Sequence, residues 1–411
     1  MNLYNLRISK NDQIVKLSIS VDSKEFGKKE LWFSTEKQYA NGICTSHFDA
    51  FLVGLLFPAM KYGEDIHIEG TVSSKLLFNI NHYVIPLIKS FSPSCKKINV
   101  TADTLVSENF EGDGVGTGFS GGIDSFCTVY DHFELEDNPE YKINSFLFLN
   151  VGAHGSDDEN KVRNKYNLRY EYLREFPKEI GLDFISVDSN LYLFHPWGHQ
   201  KTHTLTSAAG IIFMQKLYSK YYYASAGLDY SDIIKTASNY IDIDVGAYCD
   251  SILLPLLSTE SLDFIPDGAQ YTRVEKTVRI MNYEPVYRYL NVCVSGDDTH
   301  ENCSVCSKCC RTLMTINSSG KIEDFQNLFD IPKYKAKAEK KYLVEQVLNK
   351  EKDPFAKGNI NFAKENDIDL PGMLYCRIAG MNWAFKNKLI KFANGNLSEV
   401  SKKRLKRFIL R

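Results

Sequence analysis

No stretch of this 411-residue chain is apolar for long enough to cross a membrane. The longest strongly apolar run, Phe51 to Met60, is too short and is broken by Pro58. The opening Met1-Asn2-Leu3-Tyr4 lacks the basic segment, apolar run and small-residue cleavage site of a secretory signal, so the expected address is the cytoplasm. Ten cysteines there are expected to stay mostly reduced, and so to serve as metal ligands, thiol chemistry or small core residues before disulfides. Also missing is any GxxxxGK(S/T), which excludes the ordinary P-loop. No internal repeat or low-complexity tract occurs. What is present, 44% hydrophobic and 24% charged residues, suffices for a large core divided among two or three units.

The net charge of -2 hides an asymmetry: residues 331–411 hold 19 Lys and Arg against 8 Asp and Glu, while the first 330 are acidic. Ser401 to Arg411 carries six positive charges and no acid. Such a tail suits nucleic acid, an acidic partner, or the acidic body of the same protein; a solvated basic helix is the plainest reading.

Three sections emerge. In residues 1–105, Leu3 to Ser9, Ile14 to Val21 and Glu30 to Thr35 read as an antiparallel meander. His47 to Tyr62 and Ser73 to Phe91 follow at helical spacing, and then Lys97 to Thr101 as strand, giving an α+β accessory domain. Residues 112–330 alternate. Val115 to Phe119, Ser145 to Val151, Asp183 to Val187 and Tyr221 to Ala226 read as strands; Asp124 to Leu135, Glu159 to Glu175 and Leu205 to Tyr218 read as helices. This predicts an α/β fold, a parallel sheet with helices on both faces and ligands beyond the carboxyl ends of the strands. Residues 331–411 read as a basic helical region punctuated by Pro332, Pro354 and Pro371.

Between the first strand and first helix of the alternating section lies Ser120-Gly121-Gly122-Ile123-Asp124-Ser125. Paired glycines let the backbone turn sharply and approach phosphate oxygens, and the amides of such a turn form an anion site. Ser120 and Ser125 add hydroxyl donors. Asp124 repels phosphate, so a working role for it implies magnesium bridging or orientation of the loop.

Cys293, Cys303, Cys306 and Cys309 form the second cluster, the last three separated by two residues each. Four thiolates suit a closed tetrahedral zinc site, which is structural rather than catalytic. An iron–sulfur cluster is the competing cofactor. Cys310 competes with Cys309 for the fourth position.

The SGGxDS loop, the alternating sheet and the downstream cysteines, over roughly residues 112–320, together resemble 7-cyano-7-deazaguanine synthase and its QueC-like relatives in the PP-loop ATP pyrophosphatase superfamily. The resemblance implies a PP-loop (HUP-like) sheet and assigns Ser120, Gly121, Gly122, Ile123, Asp124 and Ser125 to ATP, with Ser120, Asp124 and Lys276 as catalytic candidates and Mg²⁺ as companion ion. It implies that Cys293, Cys303, Cys306 and Cys309 hold Zn²⁺. The implied reaction is a ligase chemistry: a carboxylate attacks the α-phosphate of ATP and releases pyrophosphate, ammonia displaces AMP from the acyl adenylate to give an amide, and a second adenylation turns the amide to a nitrile. The added units at both ends point to a specialised substrate, a small molecule or a protein partner, since relatives of this type also occur in anti-phage gene clusters. Asn2 stands where an N-terminal-nucleophile glutaminase would expose cysteine, so the nitrogen is expected from free ammonia, another protein or a partner's amine.

Further candidates lie at other strand ends: His154, Asp188, the trio His195, His199 and His203, and the acids Asp229, Asp242, Asp244 and Asp250. Two rival readings stand beside the ligase. RNA thiolation needs a reactive cysteine near the loop, for which Cys127 is the only choice, and a silent binding module would use nucleotide and zinc to hold a partner.

Overall fold

The computed structural model describes residues 1–153, 158–197, 199–224, 229–238, 249–293 and 301–396. These divide into two compact units, one within Met1–Asn291 and the other comprising Val292, Cys293 and residues 301–396. The sequence reading places its boundaries near 105–112 and 330; the contacts place theirs just ahead of the cysteine run.

The first unit is organised by one sheet of ten strands. They are β1 (Asn2–Lys10), β2 (Ile14–Ser23), β3 (Gly27–Glu36), β4 (Ile66–Ser73), β5 (Val100–Val106), β6 (Gly114–Gly118), β7 (Ser145–Asn150), β8 (Asp183–Ser189), β9 (Tyr218–Ala224) and β10 (Asp263–Asp267). Their order is β10-β9-β6-β7-β8-β3-β2-β1-β4-β5. β10, β9, β6, β7 and β8 run parallel, β3, β2 and β1 form the expected meander, and β4 and β5 add in parallel to β1. The two parts join because β3 pairs antiparallel with β8, Phe33 opposite Ser189 and Thr35 opposite Val187. The first hundred residues therefore extend the central sheet.

Both faces of the parallel part are covered, as period-two burial requires. Phe146 and Phe148 of β7 face one way, in ring contact with Phe176 and Tyr166 respectively. Leu147, with Ile185 and Val187 of β8, faces the other, in a core shared with helices Asp49–Tyr62 and His199–Phe213. The strand β6, Gly-Val-Gly-Thr-Gly, is held despite its glycines because the β9 tyrosines fill their space. A Cβ on Gly116 would lie 2.6 Å from Tyr218 Cε1.

Between helix Asp49–Tyr62 and the ends of β4 and β5 lies a buried polar network. His47 Nδ1 sits 3.2 Å from Asp49 Oδ2 and its Nε2 3.2 Å from Glu108 Oε2, while Gln215 Nε2 donates to Asp49 Oδ2 at 3.2 Å. Burial alone would favour the neutral ring, but hydrogen bonds to Asp49 and Cys44 prevail and push its pKa up to about 10. A raised folded-state pKa contributes stability that is complete below the ordinary histidine value of about 6.5 and is lost as pH rises towards 10. Urea midpoints are therefore expected to fall between pH 6 and pH 10, and His47→Gln to flatten that decline.

The second unit is helical, with Ser307–Ser318 followed, in the region the sequence reads as helical, by Ile331–Lys337, Glu339–Asn349, Pro354–Glu365 and Met373–Asn396. Leu313, Ile316, Phe325, Tyr334, Val344 and Ile360 are buried in it. Among the described residues no helix is long and apolar enough to cross a membrane.

Candidate functional site

Renumbered from β6, the parallel strands run in the doubly wound order 3-2-1-4-5, and the order reverses between β6 and β9. In such sheets ligands bind in the crevice beyond the carboxyl ends of the strands at the reversal. The segment Ser120 to Ser125 leaves β6 at that point. Gly121 has φ of +73°, the left-handed turn an L side chain resists, and a Cβ there would meet Leu173 Cδ2 at 2.8 Å. Gly122 caps helix Ile123–Val129, which continues through a π turn, Tyr130–Glu134. Ser120 is exposed, its hydroxyl 3.3 Å from that of Ser125, which donates to the Gly122 carbonyl at 3.1 Å.

Residues distant in sequence fix the turn. Asn291 N–H donates to the Gly121 carbonyl at 2.7 Å. Arg169 donates to the Ser120 carbonyl at 2.9 Å and to Asn291 Oδ1 at 3.0 Å. Asp124 is clamped by Lys276 Nζ at 2.9 Å and Arg273 Nη1 at 2.8 Å. Both cations come from helix Arg273–Ile280, whose Thr272–Glu275 capping box sets its start and whose three-residue spacing presents them on one face. Burial opposes ionisation of Asp124, but Arg273 and then Lys276 hold its carboxyl below the usual range. Two cations on one carboxylate leave a surplus positive charge beside a turn rich in backbone amides, an environment suited to a polyanion. The sequence reading named Lys276 but missed Arg273, Arg169 and Asn291. Only Arg273, three residues before Lys276 in a recognisable helix, carried a local signal.

The helix after the turn is anchored from β10: Thr128 donates to Asp267 Oδ2 at 2.6 Å, and His132 Nε2 lies 3.1 Å from Asp267 Oδ1. His132 stacks on Tyr222 with ring centroids 3.9 Å apart. Cys127, one turn into the helix, is buried; burial and then Asp131 push its thiol far above the ordinary range, the opposite of an activated nucleophile.

The other strand-end candidates separate. Asp188, near the end of β8, accepts from Asn150 Nδ2 at 2.6 Å and Arg163 Nε at 2.9 Å. Asn150 Oδ1, at the end of neighbouring β7, is buried with no hydrogen-bond partner among the described residues. His195 is not brought into a metal site: it is buried with Nε2 2.7 Å from the Gly54 carbonyl, and desolvation lowers its pKa to about 4. His203 Nδ1 meets the Tyr223 hydroxyl at 3.1 Å. The side chain of His199, together with His154, Asp242 and Asp244, lies outside the described residues. Asp229 accepts from the Asp232 N–H at 2.7 Å as a turn residue. Asp250 is buried, accepts the Thr204 hydroxyl at 2.6 Å, and is raised by desolvation to about 7.

In the second unit the four predicted cysteines come together. The Sγ atoms of Cys293, Cys303, Cys306 and Cys309 all lie within 4.8 Å of one another. Ser304, with φ of +64°, bends the chain between Cys303 and Cys306, and helix Ser307–Ser318 carries Cys309 in its first turn. Cys306 N–H points to Cys303 Sγ at 3.3 Å and Cys303 N–H to Cys293 Sγ at 3.5 Å. The Asn302 side chain accepts from Val292 N–H at 2.9 Å, tying the stretch that bears Cys293 to the bend at Cys303. This set can hold a single metal ion. Cys309 belongs to this cluster of four, whereas Cys310 is a buried thiol outside it. Among the described residues no other group of three or more His, Cys, Asp and Glu gathers in this way.

Comparison of the chain with protein-family models, curated proteins and solved structures gives no match.

Proposed function

We propose that the chain binds ATP at Ser120–Ser125 and splits it to AMP and pyrophosphate in order to activate a carboxylate or amide, in the manner of 7-cyano-7-deazaguanine synthase and its PP-loop relatives. The observation that carries this reading is the glycine turn beside the reversal of strand order, with Lys276 and Arg273 on its Asp124. Pyrophosphate is the more highly charged product, and a turn of amides flanked by a surplus cation stabilises it as it leaves. Asp124 orients the loop through its two cations; on ATP binding Mg²⁺ supplies further neutralisation of the phosphates. The acyl adenylate then takes nitrogen from ammonia or an amine, on a deazaguanine-type small molecule or a protein partner in a specialised pathway such as anti-phage defence.

Zinc is the metal we assign to the four cysteines. An iron–sulfur cluster interposes its own irons and sulfides and spreads its thiolates, whereas one tetrahedral ion with bonds of about 2.3 Å draws them close. Their mutual distances, at most 4.8 Å, fit the single ion. The thiolation alternative loses support because Cys127 is buried and inactive. The test is the identity of the nucleotide products: AMP and pyrophosphate support the ligase reading, ADP and phosphate contradict it, and no turnover with bound ATP leaves the silent binding module.

A further inference from the structure

Helix Met373–Asn396, in the second unit, has two unlike sides. Cys376 is fully buried, and a Cβ on Gly380 would lie 2.9 Å from Leu348 Cδ1, so this side packs against helix Glu339–Asn349. Elsewhere on the helix Leu374, Ile378, Met381 and Phe385 are 74%, 48%, 65% and 64% exposed. Their spacing of four, three and four residues is that of a heptad seam. One row of large apolar side chains differs from singly scattered exposure, which needs no explanation.

The width and charge of the row select its occupant. A strict heptad row is narrower than the broad apolar face of a helix lying in a bilayer, and matches the knobs and holes of one other helix. The helix contains Arg377, Lys386, Lys388 and Lys391 and no Asp or Glu. Arg377, three residues from Leu374 and four from Met381, and Lys388, three residues from Phe385, are exposed beside the row, and acidic flanks on a partner would complement them. Residues 331–411 as a whole, with 19 basic against 8 acidic residues, add longer-range attraction of the same sign. We propose that Leu374, Ile378, Met381 and Phe385 form a docking seam for an acidic amphipathic helix of a partner protein. This inference is independent of the ATP chemistry.

The probe is a synthetic fluorescent helix of repeated heptads with Leu at the two seam positions and Glu beside them, titrated against the full chain by anisotropy. A twin with Lys in place of Glu, vesicles of phosphatidylserine and phosphatidylcholine, and sedimentation of the chain alone complete the set. The acidic helix is expected to bind, the Lys twin not to bind, and salt to weaken the complex. Met381→Ser with Phe385→Ser, both exposed, should weaken binding by at least about tenfold with an unchanged melting temperature. Equal binding of the two helices, or no loss in the variant, overturns the proposal. Seam-dependent vesicle binding without binding of the acidic helix shows a membrane surface instead, and a seam-dependent dimer shows self-association; either overturns it.

Discussion

Cys306→Ser is expected to take the zinc content of the purified protein from about one equivalent to none and to unfold the helical start of the second unit. Cys303, Cys306 and Cys309 hold a bend and the first turn of helix Ser307–Ser318, and Cys293 ties a separate stretch of chain to them. Burial and the neighbouring Cys306 push the Cys309 thiol far above its ordinary range, so its ionisation is linked to a bound cation. A structural zinc contributes on the order of 10 kcal/mol, about the whole stability of an ordinary domain, so no rearrangement of the remaining thiols offsets its loss. Hydrogen exchange should show helix Ser307–Ser318 losing protection while helix Ile123–Val129 keeps its own. A stably folded wild type without metal, or one carrying an iron chromophore, contradicts the assignment.

Lys276→Met is expected to lower ATP turnover by about 10²- to 10³-fold, the usual cost of removing one group that stabilises developing charge. The side chain is buried and its ammonium lies 2.9 Å from Asp124, so the substitution also leaves a largely buried carboxylate with Arg273 as its remaining ion-pair partner. That second effect destabilises the fold, because removing one partner of a buried pair exposes the desolvation cost of the other. Asp124→Asn combined with Lys276→Met removes both charges. Because Asp124 also neutralises the largely buried Arg273, the double variant should recover only part of the stability and none of the activity, as rate and melting temperature measured on the two variants would show. Recovery of activity together with stability would mean that Lys276 only holds Asp124 in place.

The features legible in the sequence were those written in local periodicity and short spacing. The meander, the alternation from β6 to β9, the glycine turn and the cysteine cluster all lie where their patterns place them, with ends displaced by a few residues. Two strands escaped. β4 has the right alternation, with Ile66 and Ile68 buried between exposed His67 and Glu69, but lies between two helical stretches. β10, Asp-Phe-Ile-Pro-Asp, contains a proline that argues against a strand; it is tolerated because β10 is an edge of the sheet. The π turns at Ile80–Val84 and Tyr130–Glu134 left no pattern in residue type. Nor did the pairing of β3 with β8, which joins residues about 150 positions apart and depends on register alone. The same limit applies at the candidate site: Arg169 and Asn291 reach the glycine turn through the folded chain.

The most direct test of the central claim is the fate of ATP. Purified protein with ATP and Mg²⁺, supplied with candidate carboxylate substrates and any copurified protein, is followed by phosphorus NMR and nucleotide chromatography. The proposed pyrophosphate site at the glycine turn, which lacks the lysine of a loop built for γ-phosphoryl transfer, predicts AMP and pyrophosphate with no ADP. Ser120→Ala and Asp124→Ala, on a loop that adds little to the core, should lower that rate while zinc content stays constant. ADP and phosphate, released by the wild type at a rate these substitutions reduce, would contradict it.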